Sequence, residues 1–469
     1  MNEPFAKPRD RAIALRWPAW PPHARGHFVA IALCALALLV GRAGGQEEVP
    51  KPEPATNSYA PSPGAGDASA DLDMGVELLP PVAGSILSLD DTAWLAMTYS
   101  PLMRQARADV DEARGLAIQA GLYPNPRFDT GNPNQLGGSN TLFDGGLTQE
   151  WVRGGKLKLD VAAAEQGVRQ AQLAYTRRQF DLLTDVRQQF FSVLADQERV
   201  VMFRRLVEIA RRSEQIAENK LVNGQGTETD KLLLRIDLRR VQASLQNTET
   251  ILRAGRQQLA AVVGLPQLPI ERLVGDLSVA LPDFQEEAVR QQTIVRNGQV
   301  QIARTDIARN QLLLRRAEVE PTPNIFWTGG YQYTTAETHN QALVNAVFVI
   351  PLWNKNQGNI RTANGNVVES VAQLSVTQND LLRQAADALA RYRSARRLVL
   401  TFEQSILPDA RRTVSLVQQG YDLGELELVR LLEAQRALFQ ANLDYIDAQQ
   451  NRLQAAADLA NLLQLERFP

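Results

Sequence analysis

The chain has 469 residues, enough for two or three domains of about 150 residues each, and sets 50 Lys and Arg against 52 Asp and Glu. That balance excludes an electrostatic nucleic-acid binder, which needs a basic footprint. One Cys (Cys34) and three His (His23, His27, His339) exclude disulfide scaffolds, thiolate zinc centres and Cys–His nucleophile pairs.

At the start of the chain, Phe28 to Val40 is a run of 13 apolar residues. A bilayer span needs about 20. The run follows Lys7, Arg9, Arg11, Arg16 and Arg25 and precedes the small residues Gly41, Ala43, Gly44 and Gly45. This order predicts an export signal over residues 1–45, with an N-terminal membrane anchor as the alternative. Cys34 is a poor lipidation site, because Leu33 precedes it and six apolar residues follow. Removing the signal leaves 44 basic and 50 acidic residues, a net charge of −6, with His339 as the remaining histidine. Residues 46–84 are rich in Pro, Gly, Ala and Ser and read as a disordered linker, too poor in apolar surface to offset the entropy of ordering.

Beyond the linker, Ala, Leu, Gln and Arg dominate, a composition suited to long helices. Ser88 and Asp91 form a capping-box pattern at the head of a helix expected over Leu89–Gly121. No proline lies between Pro133 and Pro266, and after Gly155 the stretch to Val222 holds one glycine, Gly167. Such a stretch predicts a helix of about 100 Å, which a compact domain does not hold but a coiled coil does. Val186, Phe190, Val193, Val200, Phe203, Val207 and Ala210 give it a narrow heptad-like seam. The helix turns at Asn223–Gly226, and a partner returns from about Thr229 to Val263. A further helix is expected over Phe284–Glu318. Another runs from about Asn359, is broken or kinked at Pro408, resumes to Tyr421, turns at Asp422-Leu423-Gly424 and returns to about Leu465.

A shift of 200 residues lays the second hairpin on the first without a gap. Gly224 falls on Gly424, and about nine of the 56 pairs from 210 to 265 are identical. An internal duplication follows. The first repeat would span 85–265, with a β-hairpin at 124–152 and a helical hairpin at 155–264. A joint would occupy 266–285. The second repeat would span 286–469, with a β-hairpin at 323–352 and a helical hairpin at 358–467.

After each Pro-rich signal the period changes to two. Ile325, Trp327, Tyr331 and Tyr333 alternate with Phe326, Thr328 and Gln332. Phe143, Leu147 and Trp151 alternate with Asp144, Thr148 and Glu150, while Ala342, Val344, Ala346, Phe348 and Ile350 form a last apolar row. Loops are expected at about 132–141 and 335–341, the second holding His339 without companion ligands. Four such strands fit either a transmembrane β-barrel or a soluble sheet packed on helices. Four strands cannot close a barrel alone, and open edges in lipid are costly, so insertion would require copies of the chain to share one barrel.

This layout resembles the TolC-like outer membrane factors over about residues 86–467. Leu147 to Glu165 and Val347 to Gly365, with Asn354, Asn356, Gln357 and Gly358, resemble the strand-to-helix passages of the CzcC-like, heavy-metal-efflux branch. The resemblance implies a mainly α fold with a small β part: a two-fold repeat of long antiparallel coiled-coil helices, plus two β-hairpins contributing four strands to a shared trimeric β-barrel of 12 strands. A belt would come from the chain ends and the 265–285 joint. It further implies a passive exit duct in the outer membrane with a periplasmic helical extension. Partners would be a homotrimer, a periplasmic adaptor, an inner-membrane pump of RND type and outer-membrane lipid.

By the same resemblance, Gly224, Thr227 and Gly424 mark hairpin tips that dock the adaptor. Asp230 and Glu433 match acidic gate positions, whereas Arg430 stands where an acid is usual. An Arg430–Asp230 or Arg430–Glu433 pair would hold the tip shut, the alternative being solvated coiled-coil charges. Trp151, Trp327, Tyr331 and Tyr333 would be girdle aromatics. No Gly-rich phosphate loop, G-x-S-x-G elbow or Cys/His constellation occurs, so no enzyme, cofactor, metal site or nucleic-acid partner is expected. Two other functions stay open: an exit duct for type I protein secretion, and a soluble extracytoplasmic coiled-coil scaffold.

Overall fold

The computed structural model describes residues 85–130, 142–224, 226–334, 339–466 and 468. The expected signal and linker lie outside the described residues, as do most of the two expected β-hairpin loops.

A capping box opens helix α1 (Leu89–Tyr99). The Asp91 N–H donates to Ser88 Oγ at 3.2 Å, and the Ser88 N–H donates back to the Asp91 carboxylate at 2.9 Å. The single helix expected over 89–121 is in fact two. Pro101 disfavours helical geometry in the residue before it, and here Ser100 is extended and α2 (Pro101–Gly121) starts afresh with proline in its first turn. The helix expected over 284–318 is likewise divided, into α5 (Glu286–Arg296) and α6 (Gly298–Val319). No proline causes this break. Asn297 is extended, caps Gln299 through a 2.9 Å bond and donates its amide to the Leu462 carbonyl at 3.2 Å.

Helix α3 (Lys156–Val222) is one rod of 67 residues. Its seam is buried at Val186, Phe190, Val193, Val200, Val207 and Ala210, with Phe203 half-buried. Helix α4 (Glu228–Val263) returns along it from an N-cap at Thr227 and ends at Gly264, whose φ is 90°. The backbone there runs so close to Ser100 that an added Cβ would lie 2.8 Å from the Ser100 Cα.

Of the two outcomes expected at Pro408, a break or a kink, the break does not occur. Helix α7 (Gln357–Thr401) passes through a π turn (Phe402–Ile406) directly into α8 (Leu407–Asp422). The wider turn takes up the missing N–H of Pro408 and draws the preceding backbone away from its ring. Tyr445, on α9 (Leu428–Leu462), donates to Glu403 in this turn at 2.7 Å. Burial first, and the Glu403 carboxylate second, push the Tyr445 hydroxyl up to about 12, so it keeps the proton it donates.

Two sheets complete the fold. Strands β1 (Ser85–Leu87) and β4 (Ile270–Leu273) pair in parallel, tying the first described residues to the joint after α4. Strands β2 (Arg127–Thr130), β3 (Leu142–Trp151), β5 (Ile325–Thr334) and β6 (His339–Phe348) form one antiparallel sheet in that order. His339 therefore opens a strand, opposite Thr334, and is not the loop residue expected. The main core surrounds the middle of α3, where Leu182, Val186, Phe190, Val193 and Leu194 meet Leu259, Leu273 and Leu453. Toward the tips it thins to Val207, Ala210, Leu238 and Val241.

Candidate functional site

The four-stranded sheet is sided by its register. Phe128 pairs with Leu147, Trp151 with Ile325, Trp327 with Ala346, Tyr331 with Ala342 and Ile325 with Phe348. Cross-strand partners share a face and successive residues alternate, so every apolar row lies on the same side. Trp151, Trp327 and Tyr331 are exposed there, while Tyr333 is half-buried. Val344, 77% exposed, sits at mid-strand opposite Gly329. The other face carries a polar chain: Thr148 donates to Asp129 at 2.9 Å and meets the Thr328 hydroxyl at 2.9 Å. Among the described residues β2 and β6 each have one unpaired edge.

The aromatics lie at two levels. Trp151 and Trp327 stand at the helix-proximal end; Tyr331, which donates to Asn340, and Tyr333 stand at the other. A fifth aromatic, Trp353, is 87% exposed just beyond β6 and follows the exposed run Val349, Ile350 and Leu352. The strand ends at Phe348, short of Ile350, which the sequence placed in the same row, so Trp353 lies outside the period-two pattern.

Where strands pass into helices, Lys156 is 4% exposed although charged. Its ammonium donates to Asn324 at 3.2 Å and lies 3.6 Å from Glu320. Arg316 grips Asp160 through Nε at 2.9 and 3.0 Å and pairs with Glu320 as well. Asn356 adopts φ 61° and donates to the Ala317 carbonyl at 2.8 Å. Lys156, Arg316, Glu320, Asn324 and Asn356 border a cavity of about 630 Å³. Two cations face two carboxylates, so the network is self-neutralising and rivets the start of α3 to the end of α6, to which Asn356 also ties the start of α7.

At the far end, the α3–α4 and α8–α9 turns form two tips. Gly224 and Gly424 hold φ of 68° and 79°, the left-handed geometry that ends each helix. Thr227 is the N-cap of α4. Its hydroxyl accepts from the Asp230 N–H at 3.1 Å and donates to the Asp230 carboxylate at 2.7 Å. Asp230 is thus engaged in a cap. Arg430 lies 3.6 Å from Glu433 one turn on, both exposed, and no ion pair joins Arg430 to Asp230 among the described residues.

Other residues bridge the two hairpins. Lys220 donates to the Tyr421 hydroxyl at 2.8 Å, and Arg436 pairs with Asp237 at 2.5 Å. Phe203 and Phe439 meet edge-on at 5.0 Å. Lys220, Asp230 and Tyr421 border one groove of about 640 Å³ between the tips. Sequence spacing gave no sign of these bridges, which depend on how two hairpins lie against each other.

No helix among the described residues is long and apolar enough to cross a membrane, which says nothing of a β-barrel. No group of three or more His, Cys, Asp or Glu among them is placed to hold a metal ion.

The family described as "Outer membrane efflux protein" matches this chain twice, over residues 95–265 and 289–464. The cobalt-zinc-cadmium resistance protein CzcC of Cupriavidus metallidurans is 25% identical over 399 residues, covering 84% of this chain and 95% of that one. Among solved structures, a membrane protein from Pseudomonas aeruginosa superposes with a TM-score of 0.69 at 19% identity, over 80% of this chain and 92% of that one. CusC gives 0.69 at 17%, covering 80% and 91%. The open state of MtrE from Neisseria gonorrhoeae gives 0.66 at 17%, covering 80% and 88%.

Proposed function

The chain belongs to the outer membrane efflux protein family and sits in the outer membrane with a helical periplasmic extension, and from this premise we propose that it is the exit duct of a tripartite efflux system. One observation carries the reading. All apolar rows of a four-stranded sheet share one face, while both sheet edges are unpaired. An apolar face of this kind suits lipid, and unpaired edges in lipid leave amides unsatisfied at several kcal/mol each. Three copies, pairing the β6 edge of one with the β2 edge of the next, close a barrel of 12 strands. Trp151 and Trp327 then form one girdle, and Tyr331 and Tyr333 the other.

The duplication offers a common origin for the two helical hairpins, and the double family match supports it. Gly224, Thr227 and Gly424 would present the tips to a periplasmic adaptor, with an inner-membrane pump of RND type supplying the cargo. Asp230, Arg430 and Glu433 would ring the constriction three times over, and Lys220–Tyr421 and Arg436–Asp237 would latch it. Metal cations are the cargo we favour, because the relative CzcC is named for cobalt, zinc and cadmium resistance.

The test is functional and physical together. The protein should require detergent for extraction, run as a heat-sensitive oligomer and conduct in planar bilayers. Deleting its gene should lower tolerance to cobalt, zinc or cadmium more than to lipophilic drugs. Neutralising Arg430 or Asp230 should change resting conductance; identical single-channel records for both variants would remove them from the gate. A protein that washes off membranes with salt would overturn the duct itself.

A further inference from the structure

We propose that the Gly146–Gly330 rung is a crease that curls each chain's four strands toward their polar face, so that every copy brings its own share of the barrel's curvature. The inference rests on the shared-barrel reading and adds which residues bend the wall.

The ladders set the problem. Strands β3 and β5 keep one register from Leu142–Thr334 to Trp151–Ile325, and β5 and β6 keep one from Ile325–Phe348 to Thr334–His339. A sheet that closes into a barrel must bend, and the bend comes from bulges or from glycine kinks. An uninterrupted register leaves no bulge in these two ladders, so glycine is the remaining device. Two Gly-Gly pairs, Gly145-Gly146 and Gly329-Gly330, lie side by side at the middle of the β3–β5 ladder.

The two faces of this patch differ. Gly146 and Gly330 oppose each other on the face that carries Thr148 and Thr328. A Cβ added to Gly330 would lie 2.6 Å from the Gly145 carbonyl oxygen and 3.0 Å from the Gly146 Cα. One added to Gly146 would lie 3.3 Å from the Gly329 carbonyl oxygen. On the apolar face there is room. A Cβ on Gly329 would meet nothing within 4 Å, and one on Gly145 would touch the Phe128 ring at an ordinary 3.8 Å. Backbone that is crowded on one side of a ladder and open on the other is bent, with the crowded side concave.

The neighbouring side chains fit the same bend. Two residues along on the concave side, the Thr148 and Thr328 hydroxyls bond at 2.9 Å and draw β3 and β5 together. On the convex side Leu147 stands opposite Gly329 and Tyr331 opposite Gly145, both exposed. Large side chains thus occupy the side on which the backbone spreads. The crease falls between β3 of the first hairpin and β5 of the second, the line along which the two hairpins of one chain join. A methyl group on its concave side would wedge the strands apart and flatten the wall.

Single alanine variants of the full chain test the crease, with Gly330→Ala and Gly146→Ala on the polar side and Gly329→Ala and Gly145→Ala on the apolar side. Each pair removes the same glycine freedom from the same two strands, so curvature is what separates them. Circular dichroism of detergent-extracted protein reads helical content and reports whether the chain folds. Unheated gels read the heat-sensitive oligomer and report closure. Gly330→Ala should keep the parent's helical content while its oligomer yield falls about tenfold or more. Gly146→Ala, with its looser contacts, should fall less, and it carries the comparison if Gly330→Ala loses helical content. Gly329→Ala and Gly145→Ala should stay within about twofold of the parent. Equal yields on the two faces, whether kept or lost, overturn the crease and leave the duct standing. A parent that forms no oligomer overturns the shared barrel and the crease with it.

Discussion

The Lys220 ammonium lies 2.8 Å from the Tyr421 hydroxyl and 4.8 Å from the centre of its ring, joining the last turns of α3 and α8 by a hydrogen bond and a cation–π contact at once. Arg436 and Asp237 make a second bridge between α4 and α9. An exposed contact of this kind stabilises by about 1 kcal/mol or less. Lys220→Ala should therefore leave the melting temperature almost unmoved while lengthening channel open times in planar bilayers. Combined with Arg436→Ala the effect on open time should exceed either single change. A double variant that gates like the parent would remove both bridges from the resting latch.

The sidedness of the sheet makes a sharper prediction. Val344 lies at mid-strand on the apolar face, and Asn345 points to the opposite face opposite Thr328. Arginine at the lipid-facing midplane of a barrel costs about 2–4 kcal/mol, whereas the lumen side tolerates it. Val344→Arg should abolish the heat-sensitive oligomer, and Asn345→Arg should leave it intact. Equal loss in both variants would mean that the two faces see the same surroundings.

Much of this architecture is legible before any coordinates. Proline and glycine punctuate helices through backbone chemistry alone, which is why the α3 rod and both tip glycines can be read directly. Strand alternation is equally local. The breaks are less so. The Ser100 break follows from Pro101 once weighed, but Asn297 is extended because it also bonds Leu462, 165 residues away. Continuity through Pro408 depends on a π turn braced by Tyr445 from another helix. The burial of Lys156 needs Asn324 and Glu320, and the tip bridges need one hairpin laid on another. Local rules identify rods and turns; contacts between distant rods are set by packing.

Gly264 should be irreplaceable for a backbone reason. Its φ of 90° lies in the left-handed region, and an added Cβ would meet the Ser100 Cα at 2.8 Å and the Tyr99 carbonyl oxygen at 2.9 Å. The conformational penalty alone is about 1–2 kcal/mol, and the contact is with backbone that cannot rotate away. Gly264→Ala should cost roughly 3 kcal/mol or more in denaturant unfolding. Gly115→Ala is the control, since nothing lies within 4 Å of its added Cβ, and it should stabilise α2 by about 0.4–1 kcal/mol. If Gly264→Ala costs less than the control gains, the α1–α2 junction must give way easily.

Arg187 anchors the end of the chain to the middle of α3. It is 4% exposed, donates to the Glu466 carbonyl at 2.9 Å and stands 5.4 Å from the centre of the Phe468 ring, which in turn packs on Phe191. Burial, the larger cause, lowers its guanidinium below the ordinary arginine range against the opposing pull of Asp90. Truncation to Arg187→Ala would strand the carbonyl it serves and empty the space under Phe468. A loss of about 2–3 kcal/mol is expected in denaturant unfolding. Phe468→Ala in the Arg187→Ala background should add little, because the two side chains act as one unit. Full additivity in that double-mutant cycle would show that Phe468 is held by Phe191 instead.

The capping box of α1 should leave a signature in acid. The Ser88 side chain first, and the Ser88 backbone second, hold the Asp91 carboxyl below its ordinary value. A carboxyl depressed in the folded state stabilises the fold above the unfolded value, and that contribution fades as pH falls through the folded one. Loss of such a cap typically costs about 1 kcal/mol. Asp91→Ala should therefore unfold more readily than the parent at pH 7; the gap should begin to close below about 4, where the unfolded parent takes up the proton, and close further as the pH falls through the lower folded-state value. Asp276, lowered by the Ser278 hydroxyl and backbone, would add acid sensitivity of the same sign, so the comparison is best made with Asp276→Ala present in both proteins. A gap that persists unchanged at pH 2.5 would mean that Asp91 acts through packing and not through its charge.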